Sequence, residues 1–230
     1  TSGDLTTLGN GSISVSATQT DAAGNAQTAS AATTSFTLDT VAPTAPVLTL
    51  GTGVSGGATS AEAIAATGVV TLTAESGASV SVVFTGTSGT VTKTVTGNGA
   101  TAVAVVLAAG DLTTLGNGSV SVSATATDAA GNASTAGTTS FTLDTVAPTA
   151  PVLTLGTGVS AGATSAEAIA ATGVVTITAE NNAAWSVSFS RSGGGTVTKT
   201  GTGNGSAQAV VLTSGDLTTL GNGSISVSAT

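Results

Sequence analysis

Eleven carboxylates are the side chains here with the most chemical potential, and their spacing is regular. Glu62, Glu75, Asp111, Asp128 and Asp144 form a set of five. Asp4, Asp21 and Asp39 precede it, and Glu167, Glu180 and Asp216 follow it, at matching positions of an internal repeat. Against them stand 3 Lys and Arg, for a formal net charge of −8, and there is no His, Cys, Met or Tyr. These absences exclude catalysis by His, Cys or Tyr, Cys/His zinc sites, haem ligation and disulfides. Three cations cannot build the basic stripe that nucleic acid requires. Oxygen donors with no imidazole or thiolate beside them are a calcium ligand set, of which that ion takes about six to eight.

The elements that carry these acids come from a repeat. The segment Asp39-Thr40-Val41-Ala42-Pro43-Thr44-Ala45-Pro46 returns as Asp144 to Pro151, 105 positions later. Residues 40–71 and 145–176 differ at one position, Gly56 against Ala161, and residues 1–18 are identical to 213–230. The run Gly-Asp-Leu-Thr-Thr-Leu-Gly-Asn-Gly-Ser starts at Gly3, Gly110 and Gly215. Beginning and stopping at one phase of the repeat suggests a window on a longer tandem array. A unit of 105 residues exceeds a solenoid or propeller repeat and suits a small domain.

Within the unit the apolar period is two, as in Ser119-Val120-Ser121-Val122-Ser123-Ala124, and turn signals such as Thr96-Gly97-Asn98-Gly99 separate the runs. Seven strands are expected, near 46–51, 68–75, 80–86, 90–96, 101–107, 119–127 and 137–143. The fold class is therefore all-β: tandem immunoglobulin-like β-sandwich domains of about 105 residues in an extended array. Residues 40–144 are the complete domain. Residues 1–39 supply the last two strands of a preceding one, and 145–230 lack the final strand or strands. The Pro-containing joints Asp39–Pro46 and Asp144–Pro151 read as stiff connections. The longest apolar stretch, 102–109, falls far short of the roughly 20 residues of a membrane span.

Seven strands in this order put Glu62, Asp111 and Asp144 at one pole and Glu75 and Asp128 at the other, beside Asn132 and Asn98. In an array the poles of successive domains meet. Asp4 and Asp39 are then expected to face Glu75, Asp128 and Asn132, while Glu62, Asp111 and Asp144 face Glu180. Several carboxylates at one joint repel unless a cation sits among them, and calcium is the expected ion. Each acid also has a plainer reading. Glu62 has capping-box spacing from Thr59, Asp111 is placed to cap Leu112 to Leu115, Asp128 and Asn132 can close an Asx turn, and Glu75 can be a solvated loop acid.

Other residues read as structural. Phe36, Phe84, Phe141, Phe189 and Trp185 are expected in cores, and Lys93, Lys199 and Arg191 as solubilising edge charges. Asn10, Asn117 and Asn222 begin glycosylation-type Asn-Gly-Ser triplets, which the Asn-Gly preference of hairpins suffices to explain.

At Leu38 to Pro46 and at Ala126-Thr127-Asp128-Ala129-Ala130-Gly131-Asn132 the chain resembles bacterial Ig-like repeats, which build the stalks of giant surface adhesins and biofilm-associated proteins. The resemblance covers the whole chain. It implies secretion to the cell surface, an extended tandem rod and, in many members, calcium at the interdomain joints. The matching positions are Asp39, Asp128, Asn132 and Asp144.

The leading expectation is thus a non-enzymatic stalk segment that holds an adhesive tip away from the cell, its partners being neighbouring repeats of the same chain. A self-assembling extracellular filament or sheath, packing identical chains side by side, is the alternative, and images showing only single beaded rods would exclude it. A lesser one is an ice- or glycan-binding module using Thr- and Ser-rich strand faces, although strand Thr follows from β-propensity alone.

Overall fold

The structure is a computed structural model and describes all 230 residues, which divide into two compact units, Thr1–Thr145 and Val146–Thr230. The first unit holds residues 1–39 together with the repeat that follows them. No helix is long and apolar enough to cross a membrane.

The first unit opens with α1 (Ser2–Leu8), β1 (Gly11–Ala17) and β2 (Ala32–Leu38). It continues with β3 (Val47–Leu50), α2 (Ser60–Ala63), β4 (Val70–Ala74), β5 (Ser79–Thr85), β6 (Thr90–Thr96), β7 (Gly99–Val105), α3 (Ala109–Leu115), β8 (Gly118–Thr127) and β9 (Gly137–Leu143). The seven strands from β3 onward match the seven expected segments. They form a three-stranded sheet, β3-β4-β7, and a four-stranded sheet, β6-β5-β8-β9, all antiparallel.

Period-two patterning gives each sheet one buried face. Along β5, Val80, Val82 and Phe84 are buried between exposed Ser79, Ser81 and Thr85, and β8 buries Val120, Val122, Ala124 and Ala126. These residues share one core with Val70 and Leu72 of β4 and with Leu107 and Leu115 near α3. Sealing a side chain the size of Phe84 contributes about 2–3 kcal/mol, which carries weight in a core otherwise of Val and Ala.

β1 and β2 pair only with each other, from Gly11↔Leu38 to Ala17↔Ala32, and no residue of α1 is buried. Phe36, expected in a core, is instead 50% exposed, because this hairpin has no second sheet across from it.

The second unit repeats the plan with β10 (Val152–Leu155), α4 (Ser165–Ala168), β11 (Val175–Thr178), β12 (Ala184–Ser190), β13 (Thr196–Thr202), β14 (Ala207–Val210), α5 (Ser214–Leu220) and β15 (Ser226–Ala229). Its sheets are β10-β11-β14 and β13-β12-β15. Its core is built on Ile177, Trp185, Val187, Phe189, Leu212 and Leu220.

Candidate functional site

The joint at Asp39–Pro46 lies wholly inside the first unit and is the best-defined polar constellation there. Its first part is a clamp. The Asn10 side-chain oxygen, between α1 and β1, accepts from the Thr40 backbone N–H at 3.0 Å and from the Thr40 hydroxyl at 2.9 Å. One residue earlier, Asp39 Oδ1 accepts from Val41 N–H at 3.0 Å, an Asx turn that redirects the chain out of β2. Pro43 and Pro46 are buried and fix φ beyond the turn.

Its second part is the loop between β8 and β9. Asp128 Oδ1 accepts from the backbone N–H groups of Ala130 at 2.9 Å and Asn132 at 2.8 Å. The Asn132 amide nitrogen then bridges outward, donating to Asp128 Oδ2 at 2.9 Å and to the Asp39 carbonyl at 3.2 Å. The Asn132 side chain first, and the backbone donors with it, hold the Asp128 carboxyl below its ordinary range. Asp21 and Asn25 form the same turn in the hairpin segment, with the same cause and direction. Asp39, Asp128 and Asn132, expected at one joint, are thus brought together.

Of the other expected ligands, Asp4, Glu62 and Asp111 have helix-end partners, and Glu180 reaches the Asp144–Pro151 joint. Asp4 accepts from the Thr1 hydroxyl at the start of α1, and Glu62 accepts from Thr59 N–H and hydroxyl, both at 2.9 Å. Both are capping boxes, and these donors hold the carboxyls low, led by the chain's own amino terminus for Asp4 and by the Thr59 N–H for Glu62. Asp111 was expected to cap Leu112 to Leu115. It lies instead inside α3, its carboxylate accepting from Ala108 N–H at 2.6 Å and pairing with Lys93. Burial works to raise its pKa, but the Ala108 and Lys93 contacts outweigh it. Glu75 lies in the turn after β4, with its carbonyl accepting from Ala78 N–H. Asp144 follows β9, its N–H donating to the Ala58 carbonyl at 2.9 Å. Glu180 accepts from Thr149 N–H at 3.3 Å in the second unit.

Three assignments made from sequence need correction. Lys93 and Lys199 are not free edge charges: each reaches from its strand to the helix acid, Lys93 to Asp111 at 2.5 Å and Lys199 to Asp216 at 2.6 Å. Arg191 is not one either, since its Nε donates to the Leu220 carbonyl. Asn10 and Asn117 do not sit in hairpin turns; they join a helix to a strand. Asn117 clamps Thr145, N–H at 3.0 Å and hydroxyl at 2.9 Å, as Asn10 clamps Thr40. Both Lys and both Asp recur from one unit to the next, but their recurrence does not say that they meet. The signal for the clamp was the recurrence of Asn-Gly-Ser at Asn10 and Asn117, each followed about one hairpin later by Asp-Thr-Val-Ala-Pro.

Set against calcium, the oxygens at Asn132 fit in kind. The Asp39 carbonyl and the Asp128 carboxylate come from either side of the joint and converge on one point, which the Asn132 amide now bridges. Both are hard oxygen donors, and the Asn132 amide would join them by turning its oxygen inward in place of its nitrogen. No three acidic side chains group closely enough to hold an ion among themselves. Asp39, Asp128 and Asn132 would therefore hold such an ion with few charges and several waters.

No protein-family model matches the chain, and no curated protein matches it. Among solved structures it is similar to the tetra-tandem repeat in the extending region of a large adhesion protein, at 23% identity and TM-score 0.37, over 98% of this chain and 53% of that one. It is similar also to a Ca2+-stabilized adhesin that helps an Antarctic bacterium reach out and bind ice, at 25% identity and TM-score 0.38, over 98% and 56%. A third is a 1.5-MDa bacterial ice-binding adhesin, at 23% identity and TM-score 0.36, over 88% and 64%. The chain spans about half the length of the first two of these structures.

Proposed function

We propose that this chain is a segment of the extended stalk of a secreted bacterial surface adhesin, with calcium stiffening the joints between its repeats. The joint carries the reading. Its connection is short and proline-bearing, clamped from one side by Asn10 and met from the other by Asn132. A mechanical spacer needs such a connection and a flexible tether does not. The adhesin repeats named above are proteins in which this arrangement would serve the same end.

Calcium at Asp39, Asp128 and Asn132 replaces one bridging amide by an ion that several oxygens can hold. Extracellular calcium modules bind at roughly 10⁻⁴–10⁻³ M. At 10 to 100 times that Kd the ion stabilises its joint by about 1.4–2.7 kcal/mol.

The test is calorimetry and small-angle scattering of the full chain, in millimolar calcium and in chelator. Calcium is expected to raise the melting temperature of the first unit by several degrees, and Asp128→Asn to abolish the rise. Trp185, the single tryptophan, reports the second unit, and Asp128→Asn is expected to leave its signal unchanged. Equal melting of the first unit in calcium and chelator would overturn the calcium reading. Scattering from a collapsed particle in both conditions would overturn the stalk.

A further inference from the structure

The second unit holds two buried polar atoms that no group of the chain meets, the indole Nε1 of Trp185 and the side-chain oxygen of Gln208. Their chemistry is complementary, because an indole N–H only donates and an amide oxygen only accepts. Trp185 is 9% exposed, and Gln208 is half-buried with its oxygen sealed and unpaired. Both atoms belong to one corner of the core. Trp185 is the second residue of β12 and pairs with Gly201 near the end of β13. A Cβ at Gly201 would meet the indole at Cζ2 and Cε2. Cε2 carries Nε1, so the nitrogen side of the ring faces β13, an edge strand. Four residues then take the chain to β14, an edge strand of the other sheet. That link is pinned in place, with Gly203 N–H donating to the Ala183 carbonyl at 2.7 Å and Gly205 N–H to the Ala179 carbonyl at 3.1 Å. Gln208, the second residue of β14, lies opposite the fully buried Ile177, and residues opposite each other share a face, so it faces the core.

The first unit builds the same corner without polar side chains. Val80 and Val95 stand in place of Trp185 and Gly201, and Val103, opposite Leu72 on β4, stands in place of Gln208. Of the three changes, one brings a donor, one an acceptor, and the third makes room for the indole.

We propose that this corner of the second unit is a binding site for one ordered water molecule, which accepts from the Trp185 indole N–H and donates to the Gln208 oxygen. Water supplies each atom with the partner it lacks and is small enough for a closed core. Two such partners meet the lower limit for a buried water, which makes about two to four hydrogen bonds. The bridge also explains a glutamine at a core-facing position. Without it both atoms stay desolvated, and the valine of the first unit would be the more stable residue there. The inference uses neither the joint nor the stalk reading, and its test bears on neither.

NMR of the full chain tests it, because a single Trp gives a single indole N–H signal. A dipolar cross-peak between that proton and a long-lived water is expected, and its loss in Gln208→Val. The sign of the stability change is the second readout. Gln208→Val is expected to lower the Trp185-detected melting temperature by a few degrees, because the bridge is lost and the indole is left unpaired. In a Trp185→Phe background, followed by calorimetry, the same Gln208→Val change is expected to be neutral or stabilising, since the donor it served has gone. Absence of the water cross-peak in the unaltered chain overturns the proposal, whether or not the indole then meets the amide directly. So does a Gln208→Val chain that melts higher than its parent, or one that loses as much in the Trp185→Phe background as outside it.

Discussion

At the same point of their cores the two units pack different residues. In the first, Val80 on β5 lies opposite Val95 on β6; in the second, Trp185 on β12 lies opposite Gly201 on β13. A Cβ at Gly201 would collide with the Trp185 ring. The two changes therefore belong together: one position grew by an indole while its partner shrank to a hydrogen. Around them the Thr59–Glu62 and Thr164–Glu167 caps and the lysine pairs are kept. The comparison teaches that this fold fixes the volume of a cross-strand pair and not its residues. The exchange has a cost, because Trp185 Nε1 is buried with no acceptor in the chain, a penalty of about 1–3 kcal/mol where no water meets it.

The largest effect available comes from breaking that compensation. Gly201→Val alone forces a branched side chain into the indole and is expected to destabilise the second unit by about 2–3 kcal/mol. For a domain of this size that is roughly a 10 °C fall in calorimetric Tm. Trp185→Val alone is expected to lose a comparable amount by leaving a cavity. The double variant recreates the Val–Val pair of the first unit and should recover most of the loss, with a coupling of at least about 1 kcal/mol. Additive losses would show that the two positions drifted independently.

How much of this was legible in the sequence follows from the range of each interaction. Strand positions came through because alternation such as that of Ser119 to Ala124 is local and the sheets impose the same period. Thr59 and Glu62 were legible as a cap for the same reason, as three residues suffice to define it. Phe36 failed because its burial depends on a sheet that residues 1–39 do not themselves supply. The ion pairs of Lys93 and Lys199 failed because they link an edge strand to a helix 17 or 18 residues on, a distance at which charge pattern gives no direction. At the candidate site, repetition located Asp39, Asp128 and Asn132. It could not reveal that Asn132 would reach the Asp39 carbonyl and not its carboxylate, since that depends on how the loop is held by Asp128.

The lysine pairs offer a second, smaller way to set the units apart. Lys199 first, then the Thr213 N–H, pulls the Asp216 carboxyl from 3.8 down to about 2. A folded-state pKa below the unfolded one adds stability that is complete above the unfolded value and is lost as pH falls through the folded one. The window here runs from about pH 4 down to about pH 2. Because the pair is partly solvated, its contribution is about 1 kcal/mol and not the full linkage value. Lys199→Met should therefore flatten the acid dependence of the Trp185-detected melt across that window. Lys93→Met should leave the Trp185 signal unchanged, since its partner Asp111 belongs to the other unit. Equal responses of Trp185 to both variants would mean that the pairs act through overall charge and not through their own helices.

The smallest effect concerns the helix that receives each lysine. α5 begins after Thr213, whose hydroxyl accepts from Asp216 N–H at 3.2 Å while the Asp216 carboxylate accepts from Thr213 N–H at 2.6 Å. α3 begins after Ala108, which keeps the second bond and has no side chain for the first. Ala108 has extended backbone, φ −101° and ψ 163°, close to the −101° and 166° of Thr213, and is exposed. A hydroxyl added there needs no rearrangement to reach the Asp111 N–H. Ala108→Thr should thus stabilise the first unit by about 0.5–1 kcal/mol, and Thr213→Ala should cost the second unit a similar amount. Urea titration of both variants checks this, with shifted midpoints and unchanged slopes expected. A neutral Ala108→Thr beside a costly Thr213→Ala would show that the reciprocal cap depends on the helix behind it, and that the two α-helices are less alike than their sequences.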